Sequence, residues 1–494
     1  MVARSGRYPL AVGIALLGLG PNVVLSTAQL PVREAMAGDL GTSVATLGLA
    51  TGLGSAGFAI GAVFAAQLAL RLVQRRIFLV AEAAFALGCL LVAVAPSIAV
   101  LLPALVVLGL AAGAMLISSL PPLVTRFGAG RVALSAGIVD LGIFGASTLG
   151  PLIGGLAAAG GDWRWLFAGA AGLAVVGWLV ALRGYERWDP AEPEARIDTP
   201  ALVLVVLATA AGFVAASLAS GHPLTSAPVL GPALLAAGAF VTLVLAEVRR
   251  PDPLIPLSSL TTQLPVTGIL VAMVGGAVVV TTTDLVQTLL GQVEGRSPGE
   301  VAMVFWPMPI GALVGAVVFW RLFRTRFVPV LIDVGLATLA AGCLLVLAGA
   351  ESWATLLLGF GAASTVSPGL FLTGLGMESQ KLGRGFALVQ LLRSMATYAV
   401  APVILALVMR SPDQGDAARA GVLAMAIASM GALLAALVVP ALSGARLRAP
   451  DLEAWLDGGK GLPSPATVTH LRPSVDDDEA EPLVPERLRR GRTR

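Results

Sequence analysis

The sequence predicts an all-α integral membrane protein of about 14 transmembrane helices, built as two pseudo-symmetric six-helix bundles plus two inserted helices. Three observations carry this. Of 494 residues, 57% are hydrophobic and only 12% charged, against roughly 25% charged in an ordinary soluble domain. The apolar residues fall in runs long enough to cross a bilayer. The basic residues gather in alternate gaps between those runs.

A helix needs about 20 mostly apolar residues to cross the hydrocarbon core. Such runs fall at 8–31, 44–70, 77–95, 98–124, 132–158, 165–182, 200–219, 228–248, 265–291, 299–323, 327–349, 353–376, 385–409 and 416–442. The first is like the start of a secretory leader, but it continues to about Leu30 without a small-residue cleavage site and reads as a spanning helix.

If Arg4 and Arg7 are cytoplasmic, the loops on that side also hold Arg71, Arg75, Arg76, Arg126, Arg131, Arg183, Arg187 and Arg196. Later loops on the same side add Arg249, Arg250, Arg321, Arg324, Arg326, Lys381, Arg384, Arg446 and Arg448. The other side holds only Arg33, Arg164, Arg296, Arg410 and Arg419. That asymmetry predicts a multi-pass cell-membrane protein with both termini cytoplasmic. Clusters of this kind orient a membrane protein and do not form a nucleic-acid face.

The chain divides into a first six-helix bundle (1–185), a linker with two extra spanning helices (186–260), a second six-helix bundle (261–443) and a cytoplasmic tail (444–494). The tail, with an acidic run Asp476 to Glu481 and a basic end Arg487 to Arg494, is expected to be disordered. The bundles are related by an internal repeat. Gly61, Arg71 and Arg76 lie at one offset from Gly311, Arg321 and Arg326; Gly88-Cys-Leu-Leu-Val92 returns as Gly342-Cys-Leu-Leu-Val346. Gly130-Arg131 returns as Gly383-Arg384, which brings Asp140 and Arg393 into register. Each unit has an even number of crossings, so the copies share one orientation and flank a central cavity, the arrangement used for rocking alternating access.

Cys89 and Cys343 both lie inside apolar runs, so no disulfide is expected. The sequence offers no phosphate-binding glycine loop with its lysine, no metal-spaced His and Cys set, and no nucleophile with a paired base. An ATP-driven pump, an intramembrane enzyme and a bound cofactor are therefore not expected.

Gly150-Pro151-Leu-Ile-Gly154-Gly155, followed by Asp162-Trp-Arg-Trp-Leu-Phe167, resembles the antiporter signature of the major facilitator superfamily, in its fourteen-helix drug:proton antiporter branch. Gln287 to Pro309 is similar to that family's link between the first two helices of its second bundle. Closely spaced glycines let helices approach, and proline removes a backbone hydrogen bond. The resemblance covers roughly 8–442 and implies a secondary transporter. Three ionisable positions of the family are missing. Leu70 stands near the acidic place of the loop after the second helix, and Leu105 and Leu108 near the proton-relay arginine and glutamine of the fourth. The first helix offers Asn22, Ser26, Thr27 and Gln29 where the family often has an aspartate.

A charged side chain near a helix centre costs at least about 2.5 to 3.5 kcal/mol on insertion scales, so those present are candidates for function. Asp284, flanked by Thr281 to Thr283 and Gln287, is the candidate for proton coupling or substrate contact. Asp140 and Arg393 are candidates for a conformational switch, with a static interhelical hydrogen bond as the equal alternative. Glu82 and Asp333 sit near the basic loops, giving a candidate gate set of Arg71, Arg75, Arg76, Glu82, Arg321, Arg326 and Asp333, with ordinary interfacial snorkelling as the favoured alternative for the two acids. Asn22, Gln29 and Gln287 are candidate polar groups of the cavity; Ser118, Ser119, Ser364, Thr365 and Ser367 lie on helices expected to line it, but structural bonding to their own helix backbones is the default for them.

The expected function is proton-coupled efflux of an amphipathic or hydrophobic small molecule by alternating access. Its partners would be that molecule or a lipid, protons and membrane lipids. Two alternatives stay open: a transporter of a lipid or cell-envelope precursor with atypical or no proton coupling, and a transporter-derived scaffold or sensor.

Overall fold

The computed structural model describes residues 7–190, 192–194, 196–249, 262–443 and 448–464. Arg4, Arg250, Arg446, the acidic run Asp476 to Glu481 and the basic end Arg487 to Arg494 lie outside the described residues. Among the described residues, 14 helices are long and apolar enough to cross a membrane. They are α1 (Tyr8–Asp39), α2 (Val44–Arg71), α3 (Gln74–Ala93), α4 (Ile98–Thr125), α5 (Ala129–Gly160), α6 (Arg164–Gly184) and α7 (Thr199–Leu218). The rest are α8 (Ala227–Val248), α9 (Gln263–Val293), α10 (Pro298–Leu322), α11 (Val328–Leu347), α12 (Glu351–Leu375), α13 (Ser379–Arg410) and α14 (Gln414–Val439).

Several helices outrun their apolar stretches. The first run ends near residue 31 by composition, yet α1 continues to Asp39, because backbone hydrogen bonding does not stop where hydrocarbon does. It stops just before Gly41, whose φ of +58° breaks the helical path.

The repeat is visible in the packing. In the first bundle α2 packs on α4, α3 on α4 and α6, and α1 on α5 and α6; in the second α10 packs on α12, α11 on α12 and α14, and α9 on α13 and α14. The repeated glycines occupy matching seams. Gly61 lies against the Leu110 backbone of α4, and Gly311 against the Leu356 backbone of α12, each so close that a methyl group would strike a carbonyl oxygen. Gly88 and Gly342 likewise sit where α3 and α11 cross α4 and α12. In lipid, packing of this kind replaces the hydrophobic effect as the source of helix association.

The inserted pair is not a detached appendage. α7 lies along the seam between the bundles, packing on both α2 and α13. Phe213 of α7 stacks on Tyr398 of α13 at 4.3 Å between ring centroids. The Arg410 guanidinium, at the end of α13, donates to the carbonyls of Ala219 and His222 beyond α7.

Part of the expected tail is structured. Residues 448–464 fold back on the face that carries the chain ends, with a short helix α15 (Leu452–Leu456) capped by the Asp451 carboxylate, which accepts from Ala454 N–H at 3.0 Å. Trp455 is fully buried there, Ser464 Oγ accepts from Leu264 N–H at 2.9 Å, and Leu462 N–H donates to Leu375 at 3.0 Å. Composition predicts disorder for this stretch because it averages over many polar residues; three apolar ones, Leu452, Trp455 and Leu462, suffice to dock it.

Candidate substrate pathway between the two bundles

The two bundles meet along α2 with α13 and α5 with α10. α5 is irregular where it crosses the middle of the protein: a widened π-turn at Asp140–Phe144 runs into a 3₁₀ segment at Gly145–Leu149 before α-helix resumes at Gly150. The cause is local. Pro151 has no N–H to give to the carbonyl four residues back, that of Ser147. The Gly150 N–H donates to that oxygen in the 3₁₀ pattern, and the Thr27 hydroxyl of α1 donates to it as well, at 2.6 Å. Widened turns of this kind concentrate at functional sites.

The Gly-Pro motif then divides its labour. Gly150 and Gly154 press against the α1 backbone at Val24 and Ala28. Gly155 faces the other bundle, where an added methyl group would stand 2.6 Å from the Ala302 side chain of α10. Pro151 itself is buried. The Asp-Trp-Arg sequel ties together the first bundle at the end opposite Tyr8. Trp163 Nε1 donates to Asp39 Oδ2 at 3.0 Å, and Arg164 N–H donates to Asp162 Oδ1 at 2.9 Å.

Toward the face opposite the chain ends lies a polar cluster drawn from both bundles. Asp284 of α9, Arg33 of α1 and Tyr398 of α13 are close enough to act on one another electrostatically. Ser55 of α2 donates to the Tyr398 hydroxyl at 3.0 Å. Asp284 is partly exposed inside the protein, while Gln287, one turn on, is buried with neither amide atom paired. Thr281, Thr283 and the Gln29 amide oxygen are also buried without partners, and Asn22 is buried in α1. The unpaired polar atoms of Gln29, Thr281, Thr283 and Gln287 stand at membrane depth, where leaving them unsatisfied costs free energy. Arg33 was passed over in the sequence because it counts as a loop residue there.

Deeper in, Asp140 is fully buried and neither carboxylate oxygen has a partner. It does not pair with Arg393. Arg393 instead donates to Gln390 Oε1 from Nη2 at 3.1 Å, and its guanidinium carbon lies 5.9 Å from the ring centre of Phe144, one turn beyond Asp140. Ser364 and Ser367 on α12 are buried with unpaired hydroxyls, whereas Ser118, Ser119 and Thr365 bond their own helix backbones.

On the face that carries the chain ends, the bundles are joined by residues that differ from the expected gate set. Arg324 Nη2 donates to Ala129 and Gly130 at 3.0 and 2.7 Å, clasping α10 to the start of α5. Arg321 lies over the adjacent Trp320 ring and Arg326 over Phe327, so neither reaches across. Arg75 donates to Leu182 of α6 at 2.6 Å, within its own bundle, and Arg71 and Arg76 are exposed. Glu82 forms no ion pair with these arginines. It is fully buried, unpaired, and packed against Gly177 of α6. Asp333 likewise makes no ion pair among the described residues. The linker reaches this loop: Glu192 N–H donates to the Leu70 carbonyl at 2.9 Å while its carboxylate stands 4.0 Å from Arg384 of α13. No sequence signal at the loop points to a residue so far along the chain.

Contacts also join the opposite face, where Gln292 Nε2 lies 3.5 Å from Glu34 Oε1. His, Cys, Asp and Glu residues form no metal-binding group among the described residues.

The sequence profile of the Major Facilitator Superfamily matches residues 15–402. An uncharacterized MFS-type transporter, YubD, of Bacillus subtilis is 26% identical over 306 residues, 62% of this chain and 60% of that protein. A multidrug resistance protein B homolog of Mycobacterium tuberculosis is 26% identical over 364 residues, 69% of this chain and 65% of that protein. The chain thus spans about three fifths to two thirds of the length of these curated relatives. Among solved structures, the human organic anion transporter MFSD10 superposes with a TM-score of 0.61 at 16% identity, covering 87% of this chain and 99% of its own. A POT family transporter in complex with a thioalcohol-conjugated peptide gives 0.65 at 12% identity, covering 88% and 96%. At such identities the superpositions establish the fold.

Proposed function

This chain belongs to the major facilitator superfamily, and on that footing we propose that it exports an amphipathic or hydrophobic small molecule by proton-coupled alternating access, with its chain ends in the cytoplasm. The observation that carries the reading is Asp284. It is a carboxylate on a helix of the second bundle, partly exposed to internal space and within electrostatic reach of Arg33 of the first. A group so placed exchanges its proton when the bundles part and holds it, or an ion pair, when they close. The multidrug resistance name of the mycobacterial relative supports export.

The cycle would be a rocking of the bundles about the α2–α13 and α5–α10 seams. Opening toward the chain ends requires release of the Arg324 clasp and of Glu192 from Arg384. Opening the other way requires Gly155 to leave Ala302 and Glu34 to leave Gln292. The test is uptake of amphipathic dyes into inverted membrane vesicles with and without a proton gradient. Uptake that ignores collapse of the gradient, or is unchanged in Asp284→Asn, rules out the proton assignment.

A second reading, carriage of a lipid or envelope precursor without proton coupling, draws on the burial of Leu105 and Leu108 in α4, which leaves no relay arginine there. A changed lipid composition in a deletion strain, with gradient-independent uptake, would favour it.

A further inference from the structure

Arg393 is an ionised side chain near the middle of α13, roughly 14 Å along the helix from Arg384 by rise per residue. Its position is prepared. The aliphatic stem lies over Gly276 of α9, where a methyl group would stand 3.1 Å from Arg393 Cγ. Gln390 holds the head, accepting from Nε at 3.4 Å and Nη2 at 3.1 Å, and Gln390 is itself oriented by donating from Nε2 to Ser394 Oγ at 2.8 Å. A guanidinium has five N–H donors. Here one neutral amide oxygen takes two, and the Nη1 edge is bonded to nothing among the described residues. One turn on, the buried Thr397 hydroxyl is also unpaired.

A charge at this depth is retained at a cost unless an anion answers it. No carboxylate does so among the described residues. Asp140, the nearest in register, is sealed off with its own oxygens unpaired, and the ring of Phe144 from the first bundle stands over the guanidinium instead. Arg393 nonetheless keeps some accessible surface, at a place where Gly276 of the second bundle and the Phe144 ring of the first flank it.

The geometry points to Arg393 as the dock for an oxyanion headgroup on the transported molecule, which makes the cargo an anionic amphipath. This rests on the transport reading above and narrows its cargo. A planar fork binds a carboxylate, sulfate or phosphate monoester through paired charge-assisted hydrogen bonds. The ring of Phe144 then lies against the apolar body. Gln390 is the stand-in partner that keeps the fork oriented when the site is empty.

The test uses the full chain in phosphatidylcholine nanodiscs and three fluorescent probes of equal length: dansyl-undecanoate, its methyl ester and a trimethylammonium analogue. The carboxylate is expected to bind at least about tenfold more tightly than the ester, a difference of about 1.4 kcal/mol. Arg393→Gln should bind carboxylate and ester equally while leaving ester affinity unchanged, which also shows that the variant folds; Arg393→Lys should keep part of the preference. Competition separates the sources: displacement by lysophosphatidate assigns a bilayer-derived amphipath, and displacement by decyl sulfate alone a soluble one. Displacement by inorganic phosphate alone overturns the amphipath. A wild-type preference for the ammonium probe, or a carboxylate preference that survives in Arg393→Gln, overturns the dock. Loss of preference in Arg393→Gln together with gradient-independent dye uptake leaves the dock standing and removes proton coupling. Binding of none of the probes, with no dye uptake, removes both.

Discussion

The indole N–H of Trp455 lies 2.9 Å from the carbonyl oxygen of Met377 and 3.2 Å from that of Gly374, so one tail side chain caps the end of α12. The last carbonyls of a helix have no partners within it. Here the tail supplies a donor and covers the site with a fully buried ring.

Trp455→Ala should therefore undock 448–464. Removing a buried aromatic costs about 3 to 5 kcal/mol, so proteolytic cleavage within that segment should rise by at least about a hundredfold, tenfold for each 1.4 kcal/mol. Trp455→Phe keeps the packing and loses the bonds, and should fall between. Unchanged cleavage in the alanine variant would mean that the tail is held elsewhere.

Arg324→Ala removes two charge-assisted bonds between α10 and α5. Each is worth about 1.5 to 3 kcal/mol, so spin labels at Arg131 and Thr325 should show a longer-distance population at least about tenfold larger. Arg321→Ala and Arg326→Ala, whose side chains lie over their own neighbours, should leave the distribution alone. Glu192→Gln should act weakly, since the pair at 4.0 Å is largely exposed on the acidic side.

Gly150→Val and Gly155→Leu should differ in kind. Gly150 meets the α1 backbone within its own bundle, so a larger side chain should abolish folded protein, as read by size-exclusion chromatography. Gly155 meets α10 of the other bundle. Its leucine variant should remain folded but fail to close the face opposite the chain ends, seen as faster alkylation of a cysteine placed at Gln292. Equal loss of folded protein in both would show that the two glycines do one job.

Thr27→Val deletes the hydroxyl that donates to the Ser147 carbonyl from the neighbouring helix, leaving that oxygen with the Gly150 N–H alone. The loss should be about 0.5 to 1.5 kcal/mol, the net worth of one hydrogen bond whose acceptor keeps a second donor, measured as a lower thermal midpoint. Adding Pro151→Ala restores an N–H to the helix and should recover part of it.

Glu82→Met should raise the thermal midpoint, because it replaces two unpaired buried oxygens with apolar surface of similar length. A gate residue would instead lose transport with little change in stability.

How much of this was legible in the sequence depends on the range of the physics. Span number and the internal repeat were readable because bilayer thickness acts on each run of about 20 residues separately and because repeated glycines mark repeated helix crossings. Gly150, Gly154 and Gly155 were readable as close-packing positions, and Asp284, Asp140 and Arg393 as residues with a reason to be in the membrane, since the insertion cost attaches to the residue itself.

Partner choice was not readable. Whether Arg321, Arg324 or Arg326 crosses to the other bundle depends on the rotation of α10 about its axis, set by its packing on α12. Whether Glu82 faces a basic loop or Gly177 depends on where α6 crosses α3. Glu192 and Trp455 reach Arg384 and Met377 only because the linker and tail fold back on one face. The sequence by itself determined that this chain is a membrane protein of fourteen crossings in two related bundles, because burial in lipid is a local demand. Only the tertiary structure decided which side chains clasp the bundles, which acid stands unpaired and which guanidinium lies by a ring of the other bundle, because those depend on distances between helices far apart in the chain.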